Sequence, residues 1–138
     1  MALVLDTGVV LALLDADDRQ HGRCVELVTS LGEDLVVPGT TLVEIDYFLR
    51  RLGQTAGWVA FLEDVRAGAY RLHQPDEDEL LRAARLELRY ADLGLGLVDA
   101  SVVVTCEALG EAKVATLDRR HFSVVRPVHC DALTLLPA

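Results

Sequence analysis

Apolar residues fall in short blocks along the chain, and each block ends at a turn former or a charge. Leu3-Val4-Leu5 stops at Asp6-Thr7-Gly8, which predicts a buried strand feeding a turn. Val9 to Leu14 continues as an apolar helix closed by Asp15-Ala16-Asp17-Asp18. From Arg19 to Leu31 the residues Cys24, Leu27, Val28 and Leu31 recur at helical spacing, and Gly32 ends the pattern. Leu35-Val36-Val37 is too short for a helix and meets Pro38, so it predicts a second strand. A helix opens at Thr40-Thr41 and runs to Arg51 with Leu42, Ile45 and Leu49 on one stripe, and another covers Thr55 to Val65. Tyr70-Arg71-Leu72-His73 is a weak strand. Asp76 to Tyr90 is amphipathic, with Leu80, Ala83, Ala84 and Leu88 expected inward and Arg82, Arg85 and Arg89 outward. Its start carries Asp76, Glu77, Asp78 and Glu79, the favourable sign at a helix N-terminus. The loop Asp92-Leu93-Gly94-Leu95-Gly96 leads to a helix from Leu97 to Leu109 that is apolar on all sides and therefore expected at the centre. Lys113 to Leu117 and Leu133 to Leu136 complete the strands. Strands alternating with helices predict an α/β fold of three layers, with a mainly parallel sheet of about five strands between helices.

Composition narrows the class. The chain has 138 residues, 51% of them hydrophobic, which predicts one folded domain over residues 1–138 and excludes a disordered chain. Asp6 and Asp99 interrupt the apolar runs well short of the ~18 residues that cross a membrane. The opening Met-Ala-Leu-Val-Leu-Asp lacks the basic stretch of a signal peptide. Cys24, Cys106 and Cys130 are odd in number and widely spaced, as expected of reduced thiols in a cytoplasmic protein without membrane contact. The 13 basic residues stand against 22 acidic ones, a net charge of −9. Such a balance argues against gripping nucleic acid by bulk charge. Lys113 is the one lysine, but the absence of Asn and the single Ile45 suggest GC-rich codon usage behind the arginines.

The position of the carboxylates carries more information than their number. Asp6 and Asp118 each follow an apolar strand, and Glu44 and Asp99 each lie in the first turn of an apolar helix. In open parallel sheets, ligands bind beyond the carboxyl ends of the strands, where strand order reverses. If the first strand neighbours the Lys113–Leu117 strand, Asp6 and Asp118 meet in one crevice. Each acid alone also has a structural role open to it. Asp6 can cap a helix, and Thr41-Leu42-Val43-Glu44 has capping-box spacing. Asp99 suits a helix dipole, and Asp118-Arg119 can form a surface ion pair. Together these roles strain, because two carboxylates about 4 Å apart repel by roughly 4 kcal/mol at an effective dielectric near 20. A cluster therefore calls for protons or a multivalent ion, and all-oxygen sites suit Mg²⁺ or Mn²⁺. Such ions activate water for phosphodiester cleavage.

The segments Val4-Leu5-Asp6-Thr7, Thr41-Leu42-Val43-Glu44, Leu97-Val98-Asp99-Ala100 and Thr116-Leu117-Asp118-Arg119-Arg120-His121-Phe122 resemble, in order, the acidic motifs of the PIN domain. More closely they resemble the VapC-type ribonuclease toxins of bacterial toxin–antitoxin pairs, over a span from Leu3 to Leu135-Leu136-Pro137. The resemblance implies a three-layer α/β/α fold, Mg²⁺- or Mn²⁺-dependent cleavage of RNA by an ion-activated water, and a homodimer inhibited by a cognate antitoxin. It places Asp6, Asp99 and Asp118 as metal-binding acids with Glu44 beside them, and Thr116 and Thr7 as hydroxyls that orient them. DNA would be reached only through the antitoxin. Arg50, Arg51, Arg119, Arg120 and Arg126 are candidate phosphate contacts, since Arg binds phosphate bidentately. Asp92 is a candidate outer ligand or a solvated loop acid, and His121 enters only as a helper. Trp58, Phe61 and Phe48 suit an apolar interface or the core. The competing expectation is a non-catalytic PIN-like module that binds RNA or a partner. A phosphoacceptor domain fits poorly, because no acidic pair follows the first strand and no lysine follows Lys113.

Overall fold

The computed structural model describes residues Met1 to Ala138. In chain order the elements are β1 (Ala2–Leu5), α1 (Thr7–Leu14), α2 (His21–Leu31), β2 (Asp34–Pro38), α3 (Thr41–Arg51), α4 (Thr55–Ala67), β3 (Arg71–His73), α5 (Glu77–Arg89), α6 (Leu97–Leu109), β4 (Lys113–Ala115) and β5 (Thr134–Leu136), with a short 3₁₀ turn at Ala91–Leu93. The strands form one parallel sheet in the order β3-β2-β1-β4-β5. β1 pairs with β2 on one side and with β4 on the other, Val4 opposite Val114 and Leu5 opposite Ala115. Strand order therefore reverses between β1 and β4, which opens a crevice beyond their carboxyl ends.

Both faces of the sheet are covered. On one, Leu3, Leu5, Val37 and Ala115 pack against Val9 and Val10 of α1, Cys24 of α2, Ile45 and Leu49 of α3 and Phe61 of α4. On the other, Val4, Val36 and Val114 meet α6, and Ala83 and Leu86 of α5 pack behind it. Alternate β1 residues thus serve opposite layers, as the two-residue period of a strand requires. From Ala100 to Cys106 every residue of α6 is buried, the hydroxyls of Ser101 and Thr105 included, as its nearly all-apolar sequence predicts. Phe61 is fully buried in the core, Trp58 is half-buried and stacks against it, and Phe48 is partly exposed. No helix is long and apolar enough to cross a membrane.

Two expectations need correction. α2 begins at His21, not Arg19, because Asp18 accepts the Gln20 N–H and holds the preceding turn. The inward stripe of α5 is Ala83 and Leu86, whereas Leu80, Leu81 and Leu88 face solvent. Arg82, expected outside, turns toward α6 and donates two hydrogen bonds to Glu107, at 3.1 and 2.9 Å.

Candidate active site

Asp6 leaves β1 in extended conformation and becomes the N-cap of α1, its Oδ1 accepting the Thr7 N–H at 2.8 Å. The capping role is real, yet it uses one oxygen only. The other, Oδ2, accepts from the Thr116 hydroxyl at 2.9 Å, just past the end of β4. Glu44 projects from the first turn of α3 and accepts the Thr7 hydroxyl at 2.6 Å. No capping box forms there: the Thr41 hydroxyl donates instead to the Pro38 carbonyl at 2.7 Å. Glu44 is thus released to serve the crevice. Asp99 lies in the first turn of α6, where its Oδ2 contacts Nδ1 of His121. Asp118 follows β4, its N–H donating to Thr116 Oγ1 at 3.1 Å and its Oδ1 accepting the Arg120 N–H at 3.1 Å. The ion pair of this acid is with Arg120, at 3.6 Å and exposed, rather than with Arg119.

The structure brings Asp6, Glu44, Asp99 and Asp118 to one cavity of about 480 Å³, together with Thr7, Arg120 and His121. Leu11, Phe48 and Leu117 give it an apolar wall. Burial pushes the Asp6 carboxyl up to about 6, against the pull of the Thr116 and Thr7 hydrogen bonds, and the charges of Asp99 and Glu44 push the same way. Arg120 is the single cation lining the cavity, and its side chain is largely in solvent. A carboxylate-rich crevice with so little positive charge fits a hard divalent ion. Nowhere do three His, Cys, Asp or Glu side chains close around one point. A slightly larger hollow of about 530 Å³, beside the amino ends of β2 and β3, has no such convergence. Its Glu33 is paired with Lys113.

The sequence profile of the PIN domain matches residues 3–126. The chain belongs to the PIN-domain family. This PIN domain is 34% identical over 136 residues to ribonuclease VapC26 of Mycobacterium tuberculosis, covering 98% of this chain and 100% of that protein. Among solved structures, it is similar to M. tuberculosis VapC20, a toxin described as cleaving the sarcin–ricin loop. The TM-score is 0.80 at 22% identity, over 94% of this chain and 98% of that one. It also resembles the VapBC2 complex of Rickettsia felis bound to a promoter DNA fragment, with TM-score 0.68 at 14% identity over 98% of this chain and 97% of that one. At those identities the two structures speak for the fold.

The remaining candidates of this PIN domain lie elsewhere. Arg119 donates to the backbone carbonyls of Pro137 and Leu135, so its guanidinium ties the tail to the turn after β4. Arg50 pairs with Asp46 at 3.7 Å, Arg51 donates to the Tyr47 hydroxyl, and Arg126 donates to the Ser123 carbonyl. Asp92 is exposed on the 3₁₀ turn and does not line the cavity. His121, by contrast, is more central than its place as a helper suggests. It is nearly buried and bonded to Asp99. The available signal was the apolar pair Phe122 and Val125 just after His121, which anchors that turn in the core.

Proposed function

We propose that this protein is a ribonuclease toxin of a toxin–antitoxin pair, an endoribonuclease that hydrolyses RNA phosphodiester bonds with Mg²⁺ or Mn²⁺. The convergence of Asp6, Glu44, Asp99 and Asp118 on one cavity at the switch point of the sheet carries this reading. The likeness to a relative named as a ribonuclease supports the substrate class. A phosphodiester is itself an anion and is repelled by four carboxylates, so it enters only when their charge is offset. A divalent ion held by Asp6, Asp99, Asp118 and Glu44 would supply that offset, activate a water and stabilise the departing oxygen.

The chain's own groups set the geometry. Thr116 and the Thr7 N–H hold both oxygens of Asp6, which fixes its plane before any ion arrives. Thr7 holds Oε1 of Glu44 and leaves Oε2 to orient a water and take its proton. Arg120 swings from Asp118 to a phosphate oxygen at low cost, because that exposed pair contributes little. Phe48 and Leu117 offer an apolar wall on which an unpaired base can lie, which favours single-stranded or loop RNA. The same acids attract an inserted basic side chain when no ion is present, so the partner is a cognate antitoxin with a basic inhibitory segment. We place the pair in the cytoplasm, as a homodimeric toxin that reaches DNA only through the antitoxin.

Purified protein is expected to cleave single-stranded RNA with Mg²⁺ or Mn²⁺ and to stop in EDTA. Asp6→Asn and Asp99→Asn are each expected to lower the rate by more than about a hundredfold while remaining folded. Cleavage that persists in EDTA, or in both variants, overturns the proposal. RNA binding without cleavage under either ion would instead establish a non-catalytic module.

A further inference from the structure

His121 is fixed from two sides. The turn that carries it is anchored by Phe122 and Val125, both buried in the core beneath α6. Its own carbonyl accepts the N–H groups of Val124 and Val125, at 3.1 and 3.0 Å, which closes the turn. The imidazole therefore has little freedom, and its Nδ1 meets Oδ2 of Asp99. A carboxylate only accepts, so Nδ1 carries the hydrogen. Asp99 Oδ1 has no partner in the chain and is not sealed from the cavity. One oxygen of Asp99 is committed to the protein and one is left for a ligand.

Building on the metal-dependent reading above, we propose that His121 is a positioning residue that restricts Asp99 to one ligating oxygen, and so tunes the crevice toward Mg²⁺ and Mn²⁺ and against Ca²⁺. The two classes of ion differ in what they ask of a carboxylate. Mg²⁺ requires near-octahedral geometry and takes carboxylates through single oxygens alongside water. Ca²⁺ accepts six to eight oxygens and readily takes both from one carboxylate. A histidine N–H on Oδ2 obstructs the second mode and leaves the first intact. Removing it frees the Asp99 plane to rotate, which blurs the single-oxygen geometry and opens the two-oxygen one.

The test is metal binding by titration calorimetry, with Mn²⁺ and Ca²⁺ as separate probes and no RNA present. His121→Leu is expected to weaken Mn²⁺ binding about tenfold, the range for losing a group that orients a metal ligand. Its Ca²⁺ affinity should change less, about threefold or under, so the preference for Mn²⁺ narrows. His121→Asn, whose side-chain N–H reaches the place of Nδ1, should keep both affinities near the wild-type values. In an Asp99→Asn background, His121→Leu should add nothing further. Equal loss for both ions, no loss for either, or an Asn variant as weak as the Leu variant overturns the role of His121. Wild-type protein that binds no Mn²⁺ overturns the metal-dependent reading itself, a distinct outcome that also removes this inference.

Discussion

Asp6 answers opposing demands in a single side chain. It caps α1, which favours the ionised form, and it is buried beside Asp99 and Glu44, which opposes it. Burial prevails and the carboxyl rises to about 6 from 3.8. Between those two values the folded chain binds more protons than the unfolded one, so Asp6 makes stability fall as pH rises through that window. Glu107 acts oppositely. Burial raises its carboxyl, but the Arg82 hydrogen bonds, the Val128 N–H and the Arg82 charge outweigh this and hold it below 4.5. Its stabilisation is present above 4.5 and is lost as pH falls through the lowered value. Metal-free protein should therefore be more stable at pH 5 than at pH 7, by about 1 kcal/mol from Asp6. Urea unfolding in EDTA checks this: Asp6→Asn should abolish the difference, and wild-type protein less stable at pH 5 would contradict it.

At the scale of elements, legibility followed the sharpness of the apolar pattern. α6 was plain because Ala100 to Cys106 carries no charge and only two small hydroxyls, Ser101 and Thr105, so a central position suits it. α5 was ambiguous because Leu80, Leu81, Leu86 and Leu88 spread around it, so periodicity alone could not fix its rotation. The Arg82–Glu107 pair decides it, through a contact 25 residues apart in sequence that local spacing does not reveal. Glu107 also accepts the Val128 N–H at 2.8 Å, so one carboxylate ties α5, α6 and the segment before β5 together. Arg82→Met should destabilise the protein by about 2–3 kcal/mol at pH 7, because a nearly buried carboxylate loses its cation. The penalty should shrink as pH drops below 4.5 and the carboxyl takes a proton. A neutral effect in thermal unfolding at pH 7 would show that the pair is replaceable by packing. The apparent capping box at Thr41 and Glu44 was misleading for a similar reason. Its spacing was correct, but the Thr41 hydroxyl turns back to the Pro38 carbonyl just before the helix, and Glu44 finds Thr7, 37 residues away in sequence.

Over the whole molecule, the net charge of −9 gains a location. Much of it lies in helix starts such as Asp76 to Glu79 and in the Asp15–Asp18 turn, while four acids face one crevice. Those four were legible because Asp6 and Asp118 follow apolar strands, Glu44 and Asp99 lie in the first turns of helices, and the topological rule for parallel sheets joins β1 to β4. Their partners were not. Nothing in spacing shows that Arg119 spends its guanidinium on the carbonyls of Pro137 and Leu135, or that His121 holds Asp99. We propose that the crevice of this PIN domain holds a divalent ion for RNA cleavage. Anomalous diffraction from Mn²⁺-soaked crystals tests it most directly. A peak is expected in the crevice at roughly 2.0–2.2 Å from a carboxylate oxygen of Asp6, Asp99 or Asp118, absent in Asp6→Asn/Asp99→Asn crystals. A crevice without a peak at saturating Mn²⁺, or a peak only at another surface, would contradict it.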